Sequence, residues 1–375
     1  MRNVYASYTN IISPLGFTTQ ENVNNILQKK SGIKRWENTK IFDEPYYASQ
    51  LNEKKVDEEF SKLSETVNEY TKLEKMMILS LSNVVNKTKD IRLGKIGVII
   101  STTKGNIDAL DKENKFSPKR AYLPKLGETI KSFFGFKEDP IIVSNACISG
   151  LLAVIMAKRF IQSSIYDTIF IVSGDIISEF TLSGFNSFKA ISNAPCKPFS
   201  KNRNGVTLGE AAAAIVITAE KEGVQIIGEA SSNDANHISG PSRTGEGLFR
   251  SIKKAKQESK KYIEKIDYIS AHGTATLFND EMEAIAFNRM NLDEIPVNSF
   301  KGYYGHTLGA SGLLETILGI ESMKTDTLFP SLGFDELGAS KAINVIKDTK
   351  KHKINAFLKT ASGFGGCNAA AIFKK

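Results

Sequence analysis

The sequence predicts an α/β fold built from two copies of one unit. Three observations carry this expectation. Short apolar runs rich in β-branched residues alternate with segments of helical periodicity, the runs are continuous enough to be buried strands, and two motifs recur in the same order at nearly the same spacing.

In chain order, Leu73, Met77, Leu81 and Val84 fall at helical spacing, leaving Lys75, Ser80 and Lys87 for water. A strand is expected over Ile96–Ile100, closed by polar residues and Gly105. Ile141-Ile142-Val143 is a further strand and leads into Ser144-Asn145-Ala146-Cys147. A helix of small residues follows, from Ser149 to about Ile161. Ile169–Val172 and Ala211–Ile217 then have the β-branched, uninterrupted character of buried strands.

Ile148-Ser149-Gly150-Leu151-Leu152 returns as Ala310-Ser311-Gly312-Leu313-Leu314, and the stretch from Gly209 to Ile215 returns from Gly366 to Ile372. The offsets are 162 and 157 residues, so one duplication explains both pairs. With the joint set within Glu220–Gly223, the chain divides into halves 1–222 and 223–375, and no low-complexity linker separates them.

Composition narrows the function. The chain has 375 residues, 41% hydrophobic and 24% charged, as in an ordinary globular protein. Its start lacks the apolar core of a signal peptide, and no run approaches the roughly 18 apolar residues of a membrane span. Cys147, Cys196 and Cys367 are odd in number and lack CxxC spacing, which argues against disulfides and zinc and for a reducing cytoplasm. The net charge of +8 suits an anionic partner. Lysines such as Lys253, Lys254, Lys256 and Lys260 sit near Glu258 as on a solvated helix face, so an acidic protein is expected rather than nucleic acid.

Four segments bear chemistry. Cys147 stands between a strand and a helix entrance, where free N–H groups favour thiolate, although a lone buried cysteine is usually inert. His272 follows the strand Tyr268-Ile269 in a Gly/Thr turn, Ala271-His272-Gly273-Thr274-Ala275-Thr276. That is where α/β folds place active sites, but also where a satisfied core histidine can sit. Asn298-Ser299-Phe300-Lys301-Gly302-Tyr303-Tyr304-Gly305-His306 again runs from strand into turn. A helix N-terminus beside His306 would keep its ring neutral and able to donate a hydrogen bond. Ser362-Gly363-Phe364-Gly365-Gly366 is a glycine turn with one bulky residue, either a gate or an ordinary tight turn.

In this order the four motifs resemble the β-ketoacyl-acyl-carrier-protein synthases that use a Cys-His-His triad (ketosynthase II-like). The likeness extends through Ile12-Ser13-Pro14-Leu15-Gly16, through Cys196–Gly205 with Gly209-Glu210, and through Ser232-Asn233-Asp234-Ala235-Asn236-His237. The resemblance implies a thiolase-like fold, a duplicated five-layer αβαβα sandwich, usually homodimeric. It implies Cys147 as the acyl-accepting nucleophile, and His272 and His306 as promoters of malonyl decarboxylation. Lys301 would tune the site, with Asp280 and Glu315 in support. The N–H groups of Cys147 and Phe364 would form the oxyanion hole, Thr274 and Thr276 would hold the pantetheine arm, and Phe364 would act as the gate. No metal or redox cofactor is implied.

The implied partner is an acyl carrier protein, docking on Lys119, Arg120, Lys125 and Arg203, with a chain-length-factor-like subunit as a possible heterodimer mate. The chain is shorter than typical members before Cys147 and between Cys147 and His272. Together with the small residues before the gate, this would suit a specialised chain such as a polyene or aryl-primed acyl group, in fatty acid or polyketide elongation. Two alternatives stand beside this reading: a non-catalytic chain-length-factor-like subunit, and a Cys-His-Asn priming synthase using acyl-CoA. The intact Cys147, His272, Lys301 and His306 weigh against the first, and His306 against the second.

Overall fold

The structure is a computed structural model describing residues 2–37, 41–42, 44–88, 94–234, 238, 240–260, 262 and 265–375. The first half runs through β1 (Tyr5–Ile12), α1 (Lys72–Lys87), β2 (Ile96–Ser101), α2 (Leu123–Phe134), β3 (Ile141–Val143), α3 (Ser149–Gln162), β4 (Thr168–Asp175) and β5 (Ala211–Thr218). The second half runs through β6 (Val224–Asn233), α4 (Glu246–Ser259), β7 (Tyr268–Ser270), α5 (Leu277–Arg289), β8 (Val297–Asn298), α6 (Ser311–Thr325), β9 (Ala356–Gly363) and β10 (Cys367–Lys374). Element for element, the second series repeats the first.

The strand order is β8-β7-β9-β10-β6-β1-β5-β4-β2-β3. Outward from the short seam between β1 and β6, each half shows two antiparallel pairings and then two parallel ones. Helix α1 lies on β1, β4 and β5, and α4 lies on β6, β9 and β10, while α3 and α6 touch each other and strands of both halves. Adding α2 beside α1 and α5 beside α4 completes the duplicated five-layer α/β sandwich.

Burial on both faces explains the continuous apolar strands. In β4, Ile169 and Ile171 pack into the central helical layer, while Phe170 and Val172 pack under α1. In β9, Phe357 faces the centre and Leu358 the layer under α4. With side chains alternating across a strand, a sheet covered on both sides needs apolar residues at every position.

Both sequence repeats fall on equivalent elements, at the starts of α3 and α6 and at the entries to β5 and β10. The glycines of the first repeat are where the central helices cross. A methyl group on Gly150 would stand 2.6 Å from the Leu313 nitrogen, and one on Gly312 would stand 2.5 Å from the Leu151 nitrogen. Only a residue without Cβ allows this approach.

One expectation fails in α1. Lys75 and Ser80 are buried rather than solvated: a helix over Glu53–Ser61 packs on α1 and pairs with Lys75, while Ser80 lies on the side facing β1. Lys75 reaches Asp57 at 2.6 Å, and the Ser80 hydroxyl donates to the Asn10 carbonyl at 3.2 Å.

The crossing yields a stability prediction. Gly312→Val should destabilise the protein by about 3 kcal/mol in urea-induced unfolding, because the clash is with backbone that cannot give way. A loss of under about 0.5 kcal/mol, the range of surface substitutions, would mean that the helices have room to separate.

Candidate active site

Cys147 sits on a tight turn between β3 and α3. The residue before it, Ala146, has a φ of +43°, a conformation that costs a non-glycine residue about 1 kcal/mol and that surrounding bonds must hold. Ser149 supplies them: its hydroxyl accepts from the Asn145 N–H at 2.8 Å and donates to the Ala146 carbonyl at 2.7 Å. In the second half Ser311, the counterpart of Ser149, lies 2.9 Å from Nδ1 of His306. The repeated serine thus braces a reactive turn in each copy.

The His306 backbone is fixed on both sides, its N–H donating to the Thr207 carbonyl at 2.6 Å and its carbonyl accepting from the Gly209 N–H at 3.0 Å. His272 follows β7, and its N–H and that of Gly273 donate to the two carboxylate oxygens of Glu283 at 2.8 and 2.6 Å. The two imidazoles stand 5.1 Å apart at 84°. One donor atom from each of Cys147, His272 and His306 lies within 4.8 Å of the others. A turn after β3 and two turns of the second half therefore converge where the halves meet.

Behind His272 lies a buried ion network. Lys301 Nζ is 2.7 Å from Glu315 Oε1, 2.5 Å from the His272 carbonyl and 3.3 Å from His272 Nδ1. Lys359 Nζ is 2.6 Å from Glu315 Oε2 and also donates to the carbonyls of Ser270 and Ala271. An ammonium can only donate, so His272 Nδ1 accepts, and the neutral ring carries its proton on Nε2.

Electrostatics keep the three reactive groups uncharged at rest. Burial pushes the Cys147 thiol up to about 11, against the pull of Lys301, Lys104 and a hydrogen bond from the Phe364 N–H, with Asp175 adding to the rise. Both histidines are held well below the ordinary imidazole range, first by burial and then by Lys301. The reasons differ from those the sequence suggested. Helix α3 begins two residues after Cys147 and α6 five residues after His306, so neither group occupies a helix's first turn.

A cavity of about 400 Å³ opens onto Cys147, His272 and His306 and is lined also by Thr274, Thr276 and Phe364. Phe364 stacks on Phe185 at 5.3 Å and meets Phe188 edge-on at 5.5 Å. Exposed Phe188, Ile238, Leu277 and Phe278 make the rim apolar. Thr274 and Thr276 bond each other at 2.9 Å, and Thr276 also caps α5.

Several sequence expectations are revised. Asp280 does not touch Lys301; its carboxylate accepts from the Phe199 and Ala275 N–H groups and faces Arg203, and burial raises it to about 6. Arg203 is no docking residue, being buried and donating to the carbonyls of Ser200 and Leu277. Arg120 is held by a two-pronged bond to buried Glu74, 2.7 Å on each prong. Lys119 and Lys125 are exposed but line no part of the cavity, whereas exposed Lys189 does. Ala235, Asn236 and His237 lie outside the described residues. Glu283 and Lys359 were missed: Glu283 sits at helical spacing after Asn279, a weak signal, and Lys359 has none.

Thiol and imidazole donors could bind a soft divalent ion, and these three residues are the one such group among the described residues. Two ammoniums behind the histidines and a protonated thiol disfavour a resident cation there.

Comparison with known proteins agrees with the geometry. Residues 9–223 match the N-terminal domain of β-ketoacyl synthases, and residues 224–335 match the C-terminal domain. A 3-oxoacyl-[acyl-carrier-protein] synthase homolog of Saccharomyces cerevisiae is 25% identical across 100% of this chain and 99% of its own length. 3-Oxoacyl-[acyl-carrier-protein] synthase 2 of Rhizobium meliloti is 32% identical over 62% of this chain and 60% of its own. Among solved structures, a chain of the complex of the ketosynthase ApeO with its chain length factor ApeC from Xenorhabdus doucetiae superposes with a TM-score of 0.88. It is 21% identical and covers 100% of this chain and 98% of its own, a likeness of fold.

The raised thiol has a direct readout. Alkylation of Cys147 by iodoacetamide, mapped by mass, should accelerate about tenfold per pH unit from neutrality to about pH 10, following the thiolate fraction. A rate that levels off near neutral pH would show a thiolate already formed at rest.

Proposed function

The chain belongs to the β-ketoacyl synthase family, and we propose that it joins an acyl group held on Cys147 to a malonyl unit delivered by an acyl carrier protein, releasing CO₂. The observation that carries this reading is the convergence of one thiol and two neutral imidazoles on one cavity, with cations behind them.

In the first step the Cys147 proton passes to His306, and the sulfur forms a bond to the carbonyl carbon of the incoming thioester. The tetrahedral oxyanion is met by the N–H groups of Cys147 and Phe364. The second of these already points at the sulfur, and a methyl group on the preceding Gly363 would stand 3.1 Å from the Cys147 nitrogen, so the two turns approach closely. The carbon–sulfur bond to pantetheine breaks, and the departing thiolate takes the proton back from His306. Ser311 permits both roles of this histidine, since a hydroxyl can accept from or donate to Nδ1.

In the second step the malonyl carbon–carboxylate bond breaks, CO₂ leaves, and the electron pair enters an enolate. Nε2–H of His272, and Nε2–H of His306 in its other tautomer, donate to the enolate oxygen. The enolate carbon attacks the Cys147 thioester, a carbon–carbon bond forms, and the Cys147 sulfur leaves as thiolate and takes up one proton from solvent, replacing the one that left with the pantetheine thiol. Losing CO₂ supplies the carbanion without a strong base, so this route calls for no metal or redox group.

Thr274 and Thr276 line the entry for the pantetheine arm, with the stacked Phe185 and Phe364 rings beside it. Lys189 is the exposed cation on the rim that suits an acidic carrier protein. The open edge of β3, with Ile141 and Ile142 only half-buried, supports a dimer, formed with a second copy or with a chain-length-factor-like subunit. Among the described residues, no helix is long and apolar enough to cross a membrane.

Intact mass after mixing with acyl-carrier protein should show an acyl adduct on Cys147, absent in Cys147→Ala. Malonyl-carrier protein should then release a β-ketoacyl product. His272→Ala should still acylate, while condensation falls about 10²- to 10³-fold. Absence of any adduct, with every chain type tried, would sink the condensing reading. At the rim, Lys189→Glu should raise KM for the carrier protein several-fold and leave kcat unchanged, and a matching fall in kcat would place Lys189 in the chemistry instead.

A further inference from the structure

Lys359 is a buried cation for which the reaction above has no role. It lies in the middle of β9, is fully buried, and has apolar Leu358 before it in the strand. An ammonium taken out of water costs several kcal/mol unless all its donors are satisfied. All three are: Nζ donates to Ser270 O at 3.2 Å, Ala271 O at 3.1 Å and Glu315 Oε2 at 2.6 Å. The other oxygen of the same carboxylate receives Lys301, which also caps the His272 carbonyl. Three successive carbonyls leading to the reactive imidazole therefore end on two ammoniums joined by one carboxylate.

We propose that Lys359 is a further positioning residue of the decarboxylation site, acting on His272 through Glu315 and the Ser270 and Ala271 carbonyls and placing a second cation behind the imidazole. The inference rests on the condensing reading above.

Every element around His272 contributes to its charge environment. Lys301 comes from the one-turn helix Lys301–Tyr304, Glu315 from α6, Lys359 from β9 and Glu283 from α5, with His306 and Cys147 across the cavity. With Lys359 present, two cations balance two carboxylates; without it, the buried set is left with one net negative charge. Such a set would hold a proton on His272 and oppose the negative charge that builds on an enolate oxygen. Lys359 is among the charges that depress His272 protonation, after burial, Lys301 and His306, and it does the same to His306. Burial pulls Lys359 below its own usual range, while Glu315 opposes that pull.

The test follows the ring itself. The chain has four histidines, so ¹³C-labelled imidazole resonances can be assigned by single substitutions and titrated by NMR in the full-length protein. In the wild type, His272 should stay neutral down to the acid unfolding transition. In Lys359→Met and in Lys359→Gln its midpoint should rise by about one pH unit or more, so that a titration appears while the protein is still folded. The acid limb of condensation should move up by the same amount, with the plateau rate about tenfold lower. Gln keeps a donor for the carbonyls and should fold if Met does not, so it isolates the charge. A His272 titration unchanged in a folded variant overturns the proposal, whether or not the wild type condenses. A wild type that forms no acyl adduct overturns the condensing reading instead, and the NMR titration still decides the role of Lys359.

Discussion

The carboxylate of Glu315, shared between Lys301 and Lys359, is the constraint from which the rest of the site follows. Buried ions survive only when paired and hydrogen-bonded throughout, and removing one partner of such a set typically costs about 3–5 kcal/mol. The folded chain must therefore bring α6, β9, the end of β7 and the one-turn helix at Lys301 to a single point. Once it does, His272 is held on three sides, its carbonyl and one ring nitrogen by Lys301 and its N–H by Glu283 of α5.

That arrangement leaves neutral groups in front and positive charge behind. A thiol raised to about 11 and two imidazoles held neutral carry no charge at rest. Every species formed during the proposed reaction, whether thiolate, tetrahedral oxyanion or enolate, gains negative charge. Fixed donors and ammoniums that are already in place need no reorganisation as it develops, which is the usual source of large electrostatic effects in enclosed sites. The protein accordingly stabilises charge at the moment it appears rather than storing a charged nucleophile.

Much of this was legible in the sequence. The alternating strands and helices, the repeats opening α3 and α6, and the turns bearing Cys147, His272 and His306 all follow from local patterns that the fold preserves. What was illegible depends on distant partners. Lys359 looks like an isolated charge in an apolar strand, and nothing within ten residues of it marks Glu315 as its counter-ion. Arg203 reads as a surface cation until the carbonyls of Ser200 and Leu277 close around it. Lys75 reads as solvated until a second helix covers it, and Ser80 until its hydroxyl meets the Asn10 carbonyl of β1. Asp280, expected to support Lys301, instead meets the Phe199 and Ala275 N–H groups, and Glu283, three residues on along the same helix, holds the His272 turn.

The crossing of α3 and α6 has a bearing on where such a chain comes from. Gly150 meets Leu313 just as Gly312 meets Leu151, so the contact is isologous, the kind made by two identical molecules about a two-fold axis. One copy of the unit would meet another copy of itself there with no change at the interface. Joining two copies in a single polypeptide lifts the requirement that they stay identical. The turn ahead of Ser149 then keeps a thiol, the turn ahead of Ser311 keeps an imidazole, and a symmetric pair becomes one asymmetric catalyst.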